Sequence, residues 1–402
     1  MALRQTLNFL KTEAGGGAVL ALAALAGFLL ANSPWDHLYR DAFDADFTVQ
    51  LGGFIETLTV RAWIEQGLMT AFFFVVGLEI KQEVLKGELS SPRKLALPLV
   101  AAAGGMLVPG LTYLVVSLAL GGASQGWPIP TATDVAFALA ALALVGKGLP
   151  QSLRIFLLAM AIADDLGAVG LIAVLFSGHI HAWPLAGAAL TLAGLTALSE
   201  WRDAPLLLRL IGYLLLIAFT LKSGVNTSLA GVAAALTVPI RGARPGQEPV
   251  LARFLRSLHP YVAYGVLPLF AFSAAGVSLR DVDAGDLVGP APLAILAALV
   301  LGKQAGVLGA AWIAIRSGLA RRPTGASWLE LYGLSALCGV GFTMSLFMTA
   351  LAFGPDRHGT EPAAVLAVMI ASLIAALWGG GVLASAAARR RRLRPALEED
   401  EG

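Results

Sequence analysis

Residues 131–167 read TATDVAFALAALALVGKGLPQSLRIFLLAMAIADDLG, and the rest of the chain is organised around them. It places three carboxylates, Asp134, Asp164 and Asp165, within two apolar runs that are each long enough to cross a bilayer. An ionised carboxylate at membrane depth costs roughly 2.5–3.5 kcal/mol on insertion scales, so such residues mark an ion or proton path with a partner nearby. The competing interpretation is that these acids lie near helix ends and reach water.

The composition favours a membrane protein. The 402 residues are 57% hydrophobic and 13% charged, with a mean hydropathy of +0.76. So little charge excludes an ordinary soluble globular domain, and the 45 glycines suit close helix packing in lipid. The single cysteine, Cys338, excludes an intrachain disulfide. We therefore predict an all-α polytopic membrane protein that forms one transporter domain over residues 1–402.

About twelve apolar runs have the length of a membrane span. The segment 32–62 is polar enough to lie outside the membrane, and its alternation at 47–51 before Gly52 and Gly53 predicts a small hairpin. Residues 386–402 are predicted to form a cytoplasmic tail. The predicted spans are 14–31, 63–80, 95–120, 123–145, 152–177, 183–199, 205–221, 224–240, 260–278, 290–315, 327–352 and 362–385.

The distribution of Lys and Arg predicts the orientation. Of the 28 basic residues, 22 fall in segments on the side of the N-terminus and five on the opposite side, while Lys303 alone lies inside a span. Both termini are therefore expected in the cytoplasm. The arginine run at 389–392 is interpreted as a positive anchor at the membrane surface, and no nucleic-acid partner is expected.

Two of the predicted spans are interrupted. In the fourth, Pro128 and Pro130 remove backbone donors and break the helix. In the eleventh, Gly339 and Gly341 lie near the middle. Each break falls in the central helix of a three-helix group, and the two groups enter the membrane from opposite sides. Broken segments at corresponding positions indicate a transporter built from inverted repeats.

The charged residues near these breaks predict an ion site. Asp134 follows the first break, where its carboxylate can offset the positive ends of half-helices, and Lys303 can offset the negative ends or pair with an aspartate. Asp164 and Asp165 are neighbours that point roughly 100° apart on a helix. Carboxylate and hydroxyl oxygens suit a small hard cation, and a protonated carboxylate cannot hold that cation. A site that binds either a proton or Na+ is the minimal machinery of an exchanger.

Seven motifs resemble, in order and over nearly the whole chain, the NhaA family of bacterial Na+/H+ antiporters. The resemblance implies twelve helices with two crossing discontinuous ones, and exchange of Na+ or Li+ for protons across the inner membrane without a cofactor. A homodimer through residues 41–62 is implied in the same way. The motifs are VGLEIKQE (76–83), TATDVAFA (131–138), IADDLGA (162–168), LKSGVNTSLAGV (221–232), LHPYVAYGVLPLFAFSAAGVSL (258–279), LGKQ (301–304) and CGVGFTMSLF (338–347).

The resemblance also implies roles for individual residues. Asp165 resembles the main ion ligand, assisted by Asp164, Asp134 and Thr133. Lys303 resembles the salt-bridge partner of Asp164 when no cation is bound. From this pairing we expect electrogenic exchange.

Other positions bear on the response to pH. Glu79 and Glu83 match positions associated with pH response in the family, although a solvated helix end is an equally good interpretation. The best-known family pattern has a His where this chain has Asn226, and two further titratable positions are occupied by Leu255 and Arg256. These departures leave the pH set-point open.

Two alternative functions fit part of the pattern. An intramembrane aspartyl protease also needs two buried aspartates, but it draws them from two facing helices and pairs Tyr-Asp with Gly-x-Gly-Asp, which is absent here. A sodium-coupled symporter of organic anions can share an inverted-repeat fold, but it has no need of Lys303. An antiporter, which is not an enzyme, accounts for more of these residues.

Overall fold

The computed structural model describes residues 13–51, 54–86, 92–146, 148–201, 205–240, 249–354 and 360–399, and these are mostly helical, as predicted. They fall into two compact units. The first is drawn from Met1–Pro34, Ser91–Asp165 and Ala274–Gly402, and the second from Trp35–Ser90 and Leu166–Ser273. The residues of each unit pack mainly among themselves, and the single transporter domain over residues 1–402 stays a prediction.

The helices and strands follow in chain order. Short π-helical segments, Ile64–Leu68, Val262–Val266 and Ala298–Gly302, lead directly into the α-helices that begin at Met69, Leu267 and Lys303. The elements are α1 Glu13–Ala31, α2 Asp36–Phe43, β1 Asp46–Leu51, β2 Phe54–Thr59, α3 Met69–Lys86, α4 Pro92–Ala119, α5 Val135–Val145, α6 Gln151–Leu175, α7 Ala182–Glu200, α8 Leu206–Ser223, α9 Thr227–Thr237, α10 Val250–Tyr261, α11 Leu267–Ala274, α12 Pro290–Ala297, α13 Lys303–Arg316, α14 Trp328–Leu337, α15 Phe342–Phe353 and α16 Thr360–Glu399.

Each of the twelve predicted spans corresponds to one of these helices or to a consecutive pair. Among the described residues, six helical segments are long and apolar enough to cross a membrane as they stand. The pair α14 and α15, which is bent by 42° at a short break, makes a seventh. The remaining spans are shorter, interrupted or more charged helices, so hydropathy alone undercounts them.

Three helices extend several residues beyond the predicted membrane spans. Helix α3 continues to Lys86, whereas the predicted span ends at 80. The last turns of the helix contain charged residues, which a hydropathy pattern does not include in a span. Helix α10 begins at Val250, whereas the predicted span begins at 260. Its first turns are amphipathic, and their low mean hydropathy kept them out of the predicted span. Helix α16 continues to Glu399 rather than 385, since Ala, Arg, Leu and Glu are strong helix formers. The predicted tail is therefore largely a helical extension.

The core of the first unit is an apolar cluster formed by helices α4, α5, α6, α13, α14 and α16. Helices α4 and α13 approach closely where glycines face each other. A Cβ at Gly104 would lie 2.5 Å from the carbonyl oxygen of Gly306, and one at Gly306 would lie 2.3 Å from that of Gly104. This close approach is possible only with glycine, and it brings the helix that begins with Lys303 against α4.

The second unit contains the small sheet that the sequence pattern predicts. Strands β1 and β2 are antiparallel, with Asp46 opposite Thr59. The expected turn residues Gly52 and Gly53 lie outside the described part of the chain. An ion pair of 2.9 Å between Lys222 of α8 and Glu56 of β2 ties the sheet to a helix of the same unit.

Candidate functional site

The two interrupted helices of the first unit cross at their breaks. The backbone N–H of Asp134 donates to the carbonyl oxygen of Val340 at 2.8 Å. The hydroxyl of Thr133 donates to the carbonyl oxygen of Cys338 at 3.1 Å. All four residues are buried. Each break therefore satisfies polar groups of the other, which is the condition for non-helical backbone at membrane depth.

The first break follows from two prolines. Pro128 precedes a short 3-10 segment, Ile129–Thr131, which contains Pro130. The backbone is then extended at Ala132, with φ −96° and ψ 152°, before α5 begins. Because proline lacks the backbone donor that a continuous helix needs, the chain leaves the helical path here as predicted.

The second break lies between α14 and α15. A Cβ at Gly339 would lie 2.5 Å from the carbonyl oxygen of Leu299, so only glycine fits at this crossing. Gly341 occupies the N-cap position of α15 and has no side chain to cap it. The hydroxyl oxygen of Ser372, on α16, accepts the N–H of Phe342 at 3.1 Å instead. The orphan donors of a half-helix are thus satisfied by a neighbouring helix.

The carboxylate of Asp134 caps two half-helices at once. Its Oδ1 accepts the N–H of Phe137 in the first turn of α5 at 2.9 Å. Its Oδ2 accepts the N–H of Thr343 at 3.1 Å and the Thr343 hydroxyl at 2.6 Å, in the first turn of α15. A buried negative charge here faces the positive ends of both half-helices. Sequence analysis overlooked Thr343, although a hydroxyl residue just after a glycine break is a recognisable signal.

Lys303 is the first residue of α13 and is fully buried. Its ammonium lies 2.9 Å from Oδ2 of Asp164 and donates to the carbonyl oxygen of Thr131 at 2.5 Å. Thr131 ends the 3-10 segment before the first break. The ammonium therefore neutralises a carboxylate and also faces a backbone carbonyl left exposed by the break.

The paired aspartates sit in the middle of α6. Asp164 and Asp165 are 1% and 5% exposed, so both carboxyl groups are removed from bulk water. The second oxygen of Asp164, Oδ1, is buried and has no hydrogen-bond partner among the described residues. An oxygen in that state is a ready acceptor for a cation or a proton.

The charges around the crossing are unbalanced. Of the buried carboxyl groups of the first unit, that of Glu330 contacts Arg390, while the other three belong to Asp134, Asp164 and Asp165. Those three are accompanied by one buried ammonium among the described residues of the unit, that of Lys303. Because burial strengthens electrostatic interactions, an excess of carboxyl groups attracts small cations. The hydroxyl of Thr133 belongs to the same crossing and supplies a further oxygen. Such a donor set suits protons and hard monovalent cations.

Asp134→Asn is expected to weaken the apparent affinity for Na+ without abolishing turnover. Both oxygens of Asp134 already accept hydrogen bonds from half-helix ends, so its effect on a cation is mainly electrostatic. At an effective dielectric constant of about 20, a unit charge roughly 8 Å from a cation attracts it by about 2 kcal/mol, or roughly thirtyfold in affinity. The measurement is the Na+ dependence of exchange in vesicles. A variant that is inactive at saturating Na+ would make Asp134 an obligatory ligand.

Glu79 and Glu83 lie in the second unit, four residues apart on α3, and both are half-buried. Lys81, between them in sequence, donates to the carbonyl oxygens of Leu236 and Val238 at the end of α9. The lysine therefore satisfies acceptors at a helix C-terminus, where a positive charge is favourable.

Asn226 occupies the N-cap of α9, and its Oδ1 accepts the N–H of Ser228 at 3.0 Å. Asn is among the best N-cap residues. The other two departures from the family pattern, Leu255 and Arg256, lie on α10 of the same unit.

Asn226→His is expected to make activity fall more steeply on the acid side. Histidine titrates near pH 6.5, and its charged form is unfavourable at the positive end of a helix. The substitution therefore disturbs the native arrangement more below that pH than above it. The measurement is the activity–pH curve beside Asn226→Ser, which keeps a capping side chain and adds no titratable group. Identical curves would remove this position from the pH response.

Comparisons with known proteins agree on one family. The family model described as Na+/H+ antiporter 1 matches residues 7–383. The chain is 43% identical to a Na+/H+ antiporter NhaA of Pseudomonas fluorescens over 94% of the chain and 96% of that protein. Identity is 45% to the Rhodospirillum rubrum antiporter NhaA, over 94% and 96%, and 46% to that of Bordetella bronchiseptica, over 92% and 94%.

A solved structure has a similar fold. The sodium proton antiporter MjNhaP1 of Methanocaldococcus jannaschii is 14% identical, with a TM-score of 0.53, over 95% of this chain and 99% of that one. At such low identity the likeness concerns the fold alone.

Proposed function

We propose, on the premise that this chain belongs to the Na+/H+ antiporter 1 family, that Asp165 and Asp164 form the site where Na+ and protons compete. Membership of this family means that the protein exchanges Na+ for protons. The protein is a multi-pass membrane transporter, not an enzyme, and it uses no cofactor. The observation that supports this assignment of residues is the buried Lys303–Asp164 pair at the crossing of two broken helices.

The proposed cycle uses the two aspartates differently. Without a cation, Lys303 holds Asp164, and Asp165 carries a proton. Na+ displaces that proton and recruits Asp164, while the Thr133 hydroxyl contributes an oxygen. Asp134 stays ionised throughout, because it caps α5 and α15. Li+, which is another small hard cation, is expected to replace Na+.

The helix breaks and the glutamates of α3 are proposed to have separate roles. Pro128, Pro130, Gly339 and Gly341 keep the backbone open, so that carbonyl and N–H groups meet at the crossing. Glu79 and Glu83 are proposed to contribute to the pH response from α3, where two half-buried carboxylates lie one helical turn apart.

Location, orientation and assembly are part of the proposal. The excess of Lys and Arg on one side supports an inner-membrane protein with both termini in the cytoplasm. The two-stranded sheet within residues 41–62 offers strand edges through which a second copy can pair. A homodimer through this segment is proposed on that ground, and mixed-isotope crosslinking within residues 41–62 would test it.

Two earlier alternatives lose support. Neither a symporter of organic anions nor an aspartyl protease is indicated by the relatives that this chain matches. Asp164 and Asp165 also lie on one helix, whereas a protease needs aspartates on two facing segments.

The test is dye-monitored ΔpH in everted membrane vesicles that contain the wild-type chain. Addition of Na+ or Li+ is expected to collapse part of the gradient, while K+ leaves it unchanged, and the amplitude should vary with pH. Vesicles without the protein provide the background. A response to K+ equal to that for Na+, or no response to any of the three, would contradict the proposed function.

A further inference from the structure

The last helix, α16, contacts the broken helix at three levels within the first unit. At the break, Ser372 accepts the N–H of Phe342. Further along, the fully buried Leu383 belongs to the same apolar cluster as the leucines of α14. At the far end, Arg390 contacts Glu330. Helix α16 therefore supports both halves of the broken helix.

The contact between Arg390 and Glu330 has two points. The Nε of Arg390 lies 3.1 Å from Oε1 of Glu330, and Nη2 lies 3.3 Å from Oε2. Nη2 also donates to the carbonyl oxygen of Gly325 at 2.5 Å. Such a forked contact defines orientation as well as distance. The Glu330 side chain is only 3% exposed, and a carboxylate so buried depends on its partner.

Arg390 thus differs from its neighbours in the run 389–392. Arg389 and Arg392 are exposed, as expected of residues that face a membrane surface or water. The interpretation of the whole run as a surface anchor therefore fails for Arg390. Arg389 offers a matched control, because it has the same charge and lies one residue away.

Glu330 in turn forms the first turn of α14. Its Oε2 accepts the N–H of Ser327 at 2.7 Å, and its own N–H donates to the Ser327 hydroxyl at 3.2 Å. This reciprocal capping box determines where α14 begins. Eight residues later, about 12 Å along the axis, lies Cys338, whose carbonyl oxygen accepts the hydroxyl of Thr133.

We propose that Arg390 is a positioning residue for the ion site. By holding the first turn of α14, it sets the position of the carbonyl oxygens of Cys338 and Val340, which hold Thr133 and Asp134. A rigid half-helix transmits displacement at one end to the other, and such coupled contacts change affinity by roughly threefold to thirtyfold. This inference rests on the proposed function for its effect on Na+, but its structural part does not.

The chain contains its own reporter of α14. Cys338 is the only cysteine, lies at the C-cap of α14 and is fully buried. Its rate of alkylation by N-ethylmaleimide reports how often this end of the half-helix opens. In the purified full-length protein without Na+, we expect Arg390→Gln to raise that rate roughly threefold to thirtyfold. Arg389→Gln should leave the rate at the wild-type value.

Glu330→Gln separates the ion pair from the capping box. Glutamine at this position still accepts the N–H of Ser327, so the cap is kept while the charge is lost. We expect the same rise in alkylation as for Arg390→Gln. The double variant should show the same alkylation rate as either single variant, because both substitutions remove the same ion pair.

Transport supplies the second measurement. In proteoliposomes, Arg390→Gln is expected to raise the KM for Na+ by a factor similar to the rise in alkylation, while the maximal rate is largely kept. Arg390→Lys, which keeps the charge but loses the fork, should lie between wild type and Arg390→Gln, and it serves in place of Arg390→Gln if that protein does not fold. A loss of maximal rate with unchanged KM would contradict a positioning role.

Two further outcomes, both in the alkylation measurement, would overturn the inference. One is an alkylation rate for Arg390→Gln equal to that of the wild type. The other is an equal rise for Arg389→Gln, which would reduce the effect to surface charge. The wild-type chain could fail to exchange Na+ for protons while Arg390→Gln still raised the alkylation rate. That result would support the positioning of α14 by Arg390 and refute only the proposed function.

Discussion

Asp165→Asn is expected to reduce Na+-driven proton movement to the level of vesicles without the protein. The residue is 5% exposed in the middle of α6, beside the carboxylate that pairs with Lys303. A neutral amide neither takes up a proton nor offers a negative charge. Even at an effective dielectric constant of about 20, a carboxylate roughly 2.5 Å from Na+ contributes about 7 kcal/mol of attraction. This exceeds the effect expected for Asp134→Asn severalfold.

The measurement is dye-monitored ΔpH in everted vesicles, with protein amount determined in the same membranes. Asp283→Asn is the matched control, since this aspartate is exposed and Asn caps a helix as well as Asp does. The control should exchange at the wild-type rate. Robust exchange by well-expressed Asp165→Asn at any Na+ concentration would remove Asp165 from the mechanism.

Lys303→Gln is expected to retain some exchange but to lose electrogenicity. In the proposed cycle, Na+ displaces the proton on Asp165 and recruits Asp164, which breaks the buried pair of Lys303 and Asp164. The ammonium of Lys303, 0% exposed, is then left without its counter-charge, at a cost of roughly 3–5 kcal/mol. Release of its proton relieves this cost, so that two protons leave for each Na+. Glutamine has no proton to release, and the ratio should approach one.

The measurement is Na+-driven current in proteoliposomes, together with the effect of membrane potential on exchange. Lys222→Gln, which removes a half-exposed lysine of the second unit, should leave the current unchanged. Electroneutral exchange by the wild type would contradict the two-proton scheme. Undiminished current from Lys303→Gln would assign the second proton to Asp164.

The class of the protein, the approximate spans and the two breaks could all be predicted from the amino-acid sequence. These features are encoded locally: a run of apolar residues has a length, and proline removes a donor wherever it stands. The candidate charges were visible for the same reason, because Asp134, Asp164, Asp165 and Lys303 stand out within apolar runs. Helices α3, α10 and α16 extend beyond the predicted spans, since charged or amphipathic turns lower the mean hydropathy without ending a helix.

Which groups meet depends on how the helices pack. Lys303 and Asp164, 139 residues apart, were expected to pair only through the resemblance to a family. Thr343 lies 209 residues after Asp134, and this contact leaves no periodic signal in the sequence. The same holds for Arg390, one of four consecutive arginines, which packing alone singles out as the partner of Glu330. A hydrogen bond or ion pair acts over a few ångströms, and the chain reaches that distance only after its helices have packed.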